Sequence, residues 1–134
     1  MKKLFITSMV LLINGSLFLS CSKSSTTPST PVVVTGYWLG TYSSSSNNGT
    51  AGIAFGANGS AVVYNFGTSG LTDTATCPLK YTGTYTVSGS KVSFVVTTPS
   101  LSTLNYTATA DITTMTGTFS STGGASGTFS EIKQ

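Results

Sequence analysis

LKYTGTYTVS, residues 79–88, alternates without a break: Leu79, Tyr81, Gly83, Tyr85 and Val87 fall on one face, and Lys80, Thr82, Thr84, Thr86 and Ser88 on the other. Strict period two with one apolar face predicts a β-strand buried on one side. KVSFVV, residues 91–96, repeats the pattern with Val92, Phe94 and Val96 on one face. Between the two runs, Ser88-Gly89-Ser90 has the composition of a tight turn, so the pair predicts an antiparallel hairpin.

Working outward, the same alternation predicts six more strands. Residues 34–43 form the first and 50–56 the second, the latter with Ile53 and Phe55 inward. Asn58-Gly59 is a strong hairpin signal, followed by a strand over 60–66 with Val62, Tyr64 and Phe66 expected inward. A longer loop, 67–78, leads into the hairpin above. Beyond Pro99 come strands over 103–111, with Leu104, Tyr106, Ala108 and Ala110 aligned, over 115–120, and over 126–133. Eight short strands with short turns predict an all-β, antiparallel up-and-down meander that buries its apolar face by closing into a barrel, which also removes both sheet edges. The alternative is a β-sandwich, which needs longer crossovers than this chain offers outside residues 67–78.

One tripeptide pattern recurs in four strands: Gly40-Thr41-Tyr42, Gly83-Thr84-Tyr85, Gly117-Thr118-Phe119 and Gly127-Thr128-Phe129. Glycine and aromatic lie two apart and share a face, while threonine turns to water. A glycine inside a strand marks a bend, as barrel closure requires, and the nearby aromatic covers the gap it leaves.

Composition excludes several functions. Only 7% of residues are charged, and the chain has neither His nor Arg. Outside the N-terminal segment, Lys23, Lys80, Lys91 and Lys133 face Asp73, Asp111 and Glu131, so no basic patch for nucleic acid can form. The three acids fall in a loop, at a strand end and in the last strand, with no cluster of metal-ligand character and no base to activate a nucleophile. The expectation is a protein that is not an enzyme and needs no cofactor or metal.

The N-terminus reads MKKLFITSMVLLINGSLFLSC, with Lys2 and Lys3 ahead of an apolar run over 4–19. This is the layout of a signal peptide, residues 1–20. Residues 22–31, SKSSTTPSTP, have the composition of an extended tether, reaching roughly 30 Å at about 3.1 Å per residue. The barrel domain then occupies 32–134.

Two resemblances sharpen this. Phe18-Leu19-Ser20-Cys21 resembles a bacterial lipobox, which implies cleavage before Cys21 and diacylation of its thiol. Two or more acyl chains hold a protein firmly on a membrane where one does not. Ser22 after the cysteine implies, by the sorting rule of enteric bacteria, the outer membrane of the cell envelope. With Cys21 lipidated, Cys77 is unpaired, either buried as a small hydrophobe or free to react. Gly36-Tyr37-Trp38 resembles the G-x-W signature of lipocalins. That family implies an eight-strand calyx with the Trp across its closed end and a small, often apolar ligand at the open end. Its late Arg is absent, Lys133 lying about where a substitute would stand, and its T-D-Y motif is absent too, Thr72-Asp73 being followed by Thr74, so lipocalin-like or avidin-like small barrel is the fitting description. The arrangement of lipobox, tether and small body is similar to lipoproteins of Bacteroidota. Asp73-Thr74-Ala75 resembles the O-glycosylation acceptor of that group, which marks Thr74.

An eight-strand barrel is just wide enough to be filled by side chains or to hold one small ligand. The inward aromatics suffice for a packed core, whereas the inward glycines with Ala108 and Ala110 leave space. In the hollow case Trp38, Tyr64, Tyr81, Tyr85, Tyr106 and Phe119 are the expected ligand-binding residues. In the packed case the barrel displays its loops to a protein or glycan partner.

Overall fold

The computed structural model describes residues 30–134. The segments expected to be a signal peptide (1–20) and most of a tether (22–31), with Cys21 between them, lie outside the described residues. Eight strands follow in chain order: β1 Gly36–Ser44, β2 Asn48–Phe55, β3 Ser60–Gly67, β4 Leu79–Ser88, β5 Lys91–Thr97, β6 Thr103–Ala110, β7 Thr114–Ser121 and β8 Ser126–Lys133. Each pairs antiparallel with its neighbours in sequence, and β1 pairs with β8 to close the barrel. The sandwich alternative is therefore not formed.

Closure depends on the repeated glycines. A Cβ on Gly83 would run into the carbonyl of Val95 on β5, and would stand 2.8 Å from the Cα of Val96. Backbone, not a movable side chain, fills that space, so the strand bends inward only where no side chain stands. Gly40, Gly117 and Gly127 are blocked in the same way, by carbonyls of Ser130, Thr107 and Ser43 respectively. At two of the four an aromatic fills the gap from the neighbouring strand: Phe119 is the register partner of Gly127, and Phe129 of Gly117. The Phe119 ring lies where the missing Gly127 side chain would point.

The two ends of the barrel differ. At one end the turns are tight: Gly59 takes φ 80° between β2 and β3, and Asp111 caps the β6–β7 turn. Its carboxylate accepts the amides of Thr113 at 2.7 Å and Thr114 at 2.6 Å. Those bonds hold the Asp111 carboxyl down to about 2, so its stabilisation is present at neutral pH and fades only as acid approaches that value.

The chain leading into β1 folds across this end and shuts it. Val34 is fully buried there, and the Val32 amide donates to the Gly89 carbonyl at 2.9 Å. Trp38, wholly buried, donates its indole N–H to the Val34 carbonyl at 2.7 Å. Lys133, its register partner on β8, stands with Nζ 5.4 Å from the indole ring and donates to the Val33 carbonyl at 3.0 Å. Above this plug pack Ile53, Phe55, Phe94, Ala110 and Met115, with Phe55 edge-on to Phe94 at 5.3 Å. This half of the barrel is a filled core.

One strand departs from its expected facing. In β3 it is Ala61 and Val63 that join the core, while Tyr64 and Phe66 lie on the outer face. Both sets alternate, so parity alone could not choose between them. The register skips Phe66 where Thr50 pairs with Gly67 and Ala51 with Asn65, a bulge. Phe66 is nonetheless buried, because the 67–78 loop returns over it: Ser69 donates amide and hydroxyl to its carbonyl. Tyr37, edge-on to Tyr64 at 6.1 Å, donates to the Thr72 carbonyl of the same loop at 3.5 Å. Cys77, a free thiol among the described residues, is buried there and donates to the Leu79 carbonyl at 3.1 Å.

The glycine argument makes a direct prediction. Gly83→Ala places a methyl against β5 backbone and should cost about 2 kcal/mol or more in urea unfolding. Thr84→Val, one residue on and facing water, should stay within about 0.5 kcal/mol.

Candidate functional site

The other half of the barrel is hollow. Its mouth lies among the β1–β2, β5–β6 and β7–β8 connections, opposite the Trp38 plug. The cavity measures about 320 Å³, at the lower end of the range for small-molecule pockets. Its wall is made by inward positions one layer above the filled core. Tyr42 of β1 and Phe119 of β7 meet edge-on at 6.3 Å, and Tyr106 of β6 lies 5.7 Å from Phe119 and 5.6 Å from Phe129 of β8. Small and polar side chains, among them Ala51, Ser44, Asn65 and Ser121, leave the space and line the way in.

Of the residues expected to line a ligand site, the structure brings Tyr81, Tyr106 and Phe119 to this cavity. It puts Trp38 and Tyr85 in the filled half instead. Tyr85 packs on Phe55 at 4.8 Å and donates its hydroxyl to the Gly56 carbonyl at 3.0 Å, at the closed end. Tyr64 stands outside the barrel, where the Lys80 ammonium lies 5.6 Å from its ring. Thr74 sits half-buried in the 67–78 loop, in a turn where the Asp73 carboxylate accepts the Ala75 amide at 2.8 Å.

Sequence reasoning left Tyr42, Phe129 and Glu131 out of the site. Glu131 is the most informative of the three. It alternates inward with Gly127 and Phe129, so it was findable as a charge at an inward strand position. It lines the cavity, is 1% exposed, and neither carboxylate oxygen has a hydrogen-bond partner among the described residues. Burial disfavours the ionised form and pushes its carboxyl up to about 8. Burial also raises the Tyr106 phenol well above its ordinary value, with neighbouring Tyr81 and Glu131 adding to the effect. Asp73 and Asp111 are committed to turns far along the chain from it, and no group of three His, Cys, Asp or Glu suited to a metal exists among the described residues. In chemical terms the cavity is an aromatic cup with one unpartnered carboxyl.

No protein-family model matches the chain, and no curated protein does either. Two solved structures are similar in fold. One is a redesigned β-barrel, b11L5F_LGL, at 18% identity and a TM-score of 0.58, covering 75% of this chain and 90% of that one. The other is a redesigned β-barrel, mFAP1, bound to DFHBI, at 18% identity and a TM-score of 0.54, covering 75% of this chain and 94% of that one. At such identity the likeness is one of fold: an eight-strand antiparallel barrel.

Glu131 should leave a signature in stability. Its folded carboxyl titrates higher than the unfolded one, so its neutral form is tolerated in acid and the penalty of ionisation grows as pH rises towards about 8. From about pH 5 to about pH 8 the protein should lose on the order of 3 kcal/mol by this route. Glu131→Gln, neutral at every pH, should flatten that slope in denaturant titrations.

Proposed function

We propose that the protein is a non-catalytic, lipid-anchored component of the cell envelope whose barrel binds a small apolar or amphipathic ligand. The observation that carries the binding reading is the open, aromatic-lined cavity of about 320 Å³ above an otherwise filled core. A stable barrel does not need the void. Empty space forfeits contacts, and a core that only had to fold would close it with larger side chains at Ala51 or Ser121. The redesigned barrel bound to DFHBI supports the same reading, since it is a barrel of similar fold with a bound small molecule. The anchor rests on Lys2 and Lys3, the apolar run after them and Phe18-Leu19-Ser20-Cys21, with the outer membrane as the destination suggested by Ser22. The non-catalytic reading rests on the scarcity of titratable groups: one carboxyl in the cavity wall, with no histidine in the chain to act beside it.

The geometry gives the anchor a sense. The chain enters β1 at the closed end, and the mouth lies at the other. A barrel held by Cys21 would present its open end away from the lipid surface, towards diffusing ligand. Thr74, on the 67–78 loop at the mouth end, stays a candidate for glycosylation.

Two experiments test these readings. Native mass spectrometry of the protein after exposure to extract of its own cells should show a specific small mass retained, and Ala51→Phe, which fills the cavity, should lose it while circular dichroism stays unchanged. A bare polypeptide in both cases would favour the packed barrel that displays loops to a protein or glycan. For the anchor, a metabolically supplied palmitate analogue should label the wild type, and Cys21→Ser should abolish the label.

A further inference from the structure

The unpartnered carboxyl says which ligands the cavity suits, an inference that rests on the binding reading above. A buried carboxyl without a hydrogen bond is a cost to the fold, because it has given up water for nothing. Glu131 has given up water and gained no partner from the described residues. The nearest cation along its strand, Lys133, is engaged elsewhere, on the Val33 carbonyl and the Trp38 ring. No lysine lines the cavity. Tyr42 on β1, Tyr81 on β4 and Tyr106 on β6 share the cavity wall with the carboxyl, and its charge is felt by the phenols of Tyr106 and of Tyr37 on the outer face of β1. The register partners of Glu131, Gly40 and Met115, offer no side-chain hydrogen bond.

The cavity wall that the carboxyl shares carries five aromatic rings, Tyr42, Tyr81, Tyr106, Phe119 and Phe129, beside aliphatic and small polar side chains. Aromatic faces attract cations and do not attract anions. A carboxylate beneath a cup of rings is selective for positive charge on a compact, weakly hydrated group. We propose that the barrel's ligand is a small organic cation, an amine or quaternary ammonium on an apolar body, with its head on Glu131 and its body among Tyr42, Tyr106, Phe119 and Phe129. Binding then ionises the carboxyl: the protonated Glu131 of the empty cavity gives its proton to solvent, and the carboxylate left behind pairs with the cation. Charge and protons balance, with one proton released for each fixed-charge cation bound.

Benzyltrimethylammonium is a suitable probe, because its charge does not vary with pH. Neopentylbenzene has the same shape without the charge. In NMR shift titrations the cation should bind about tenfold tighter or more than its neutral counterpart. Its affinity should climb as pH rises from about 6 towards about 9, and calorimetry in buffers of different ionisation enthalpy should register the released proton. Glu131→Gln should erase both the preference and the pH dependence and still bind neopentylbenzene. Equal binding of the two probes by the wild type, at every pH, would overturn the cation proposal and leave the binding module standing. Failure of both probes to bind either the wild type or Glu131→Gln would overturn the two together.

Discussion

Between Trp38–Ser44 and Gly127–Lys133 the first and last strands exchange backbone hydrogen bonds. Every other strand pair joins neighbours in sequence, and only this one must bring together segments nearly a hundred residues apart. Without it β1 and β8 are open edges, and an exposed edge is a template for aggregation. Closing so short a sheet forces backbones together at points where any side chain would collide. Gly40 sits within the β1–β8 seam against the Ser130 carbonyl, and Gly127 against that of Ser43. The seam therefore exists only because glycine stands on both of its strands. At Gly117 and Gly127 the aromatic of the facing strand, Phe129 and Phe119 respectively, restores the buried surface that the glycine gave up.

The same seam fixes how the two halves of the interior differ. Trp38 and Lys133 are register partners at one end of it. Their side chains, with the Val34 strap, make a plug that only the chain leading into β1 can supply. From there inward the layers are filled by Phe55, Phe94 and Met115. Two residues along β8 from Lys133 comes Glu131, and two more reach Phe129. The barrel thus passes within a few residues from a cation on an indole, through a carboxyl, to a ring of aromatics around empty space. Trp38 closes the vessel, and the rings above Glu131 line it.

How much of this can be read in the sequence depends on whether a residue answers to the pleat or to something outside it. All eight strands follow from alternation, because one face of each must be dry and the other wet. The four glycine–aromatic pairs are legible for the same reason: their parity is fixed by their own strand. β3 defeats the method. Ala61 and Val63 compete with Val62 and Tyr64 for the interior, and the outer set wins its own burial from the 67–78 loop, which alternation cannot see. The candidate site was partly legible. Tyr81, Tyr106 and Phe119 follow from parity, but whether an inward aromatic lines a void or fills a core depends on its height along the barrel. Tyr85 and Tyr81 share a face of β4, yet one is bonded to the closed end and the other lines the cavity. Height follows from strand register and stagger, which no single strand carries.

Glu131 shows why the most informative residue was the least expected. Sequence logic treats a charge in a strand as a mark of the wet face, because burial of a lone carboxyl opposes folding. In β8 the alternation set by Phe129 outweighs that rule: turning Glu131 outward would expose Phe129 and break the seam with β1. The fold holds the carboxyl inside at a cost that it recovers from no hydrogen-bond partner among the described residues. A cost of this kind, borne at one position in a chain with so few charges, is the pattern of a group held for something the empty protein lacks. A ligand that brings positive charge to Glu131 would recover it, so ligand affinity and folding stability meet in a single side chain. The same buried carboxyl that weakens the empty barrel would make the filled one selective.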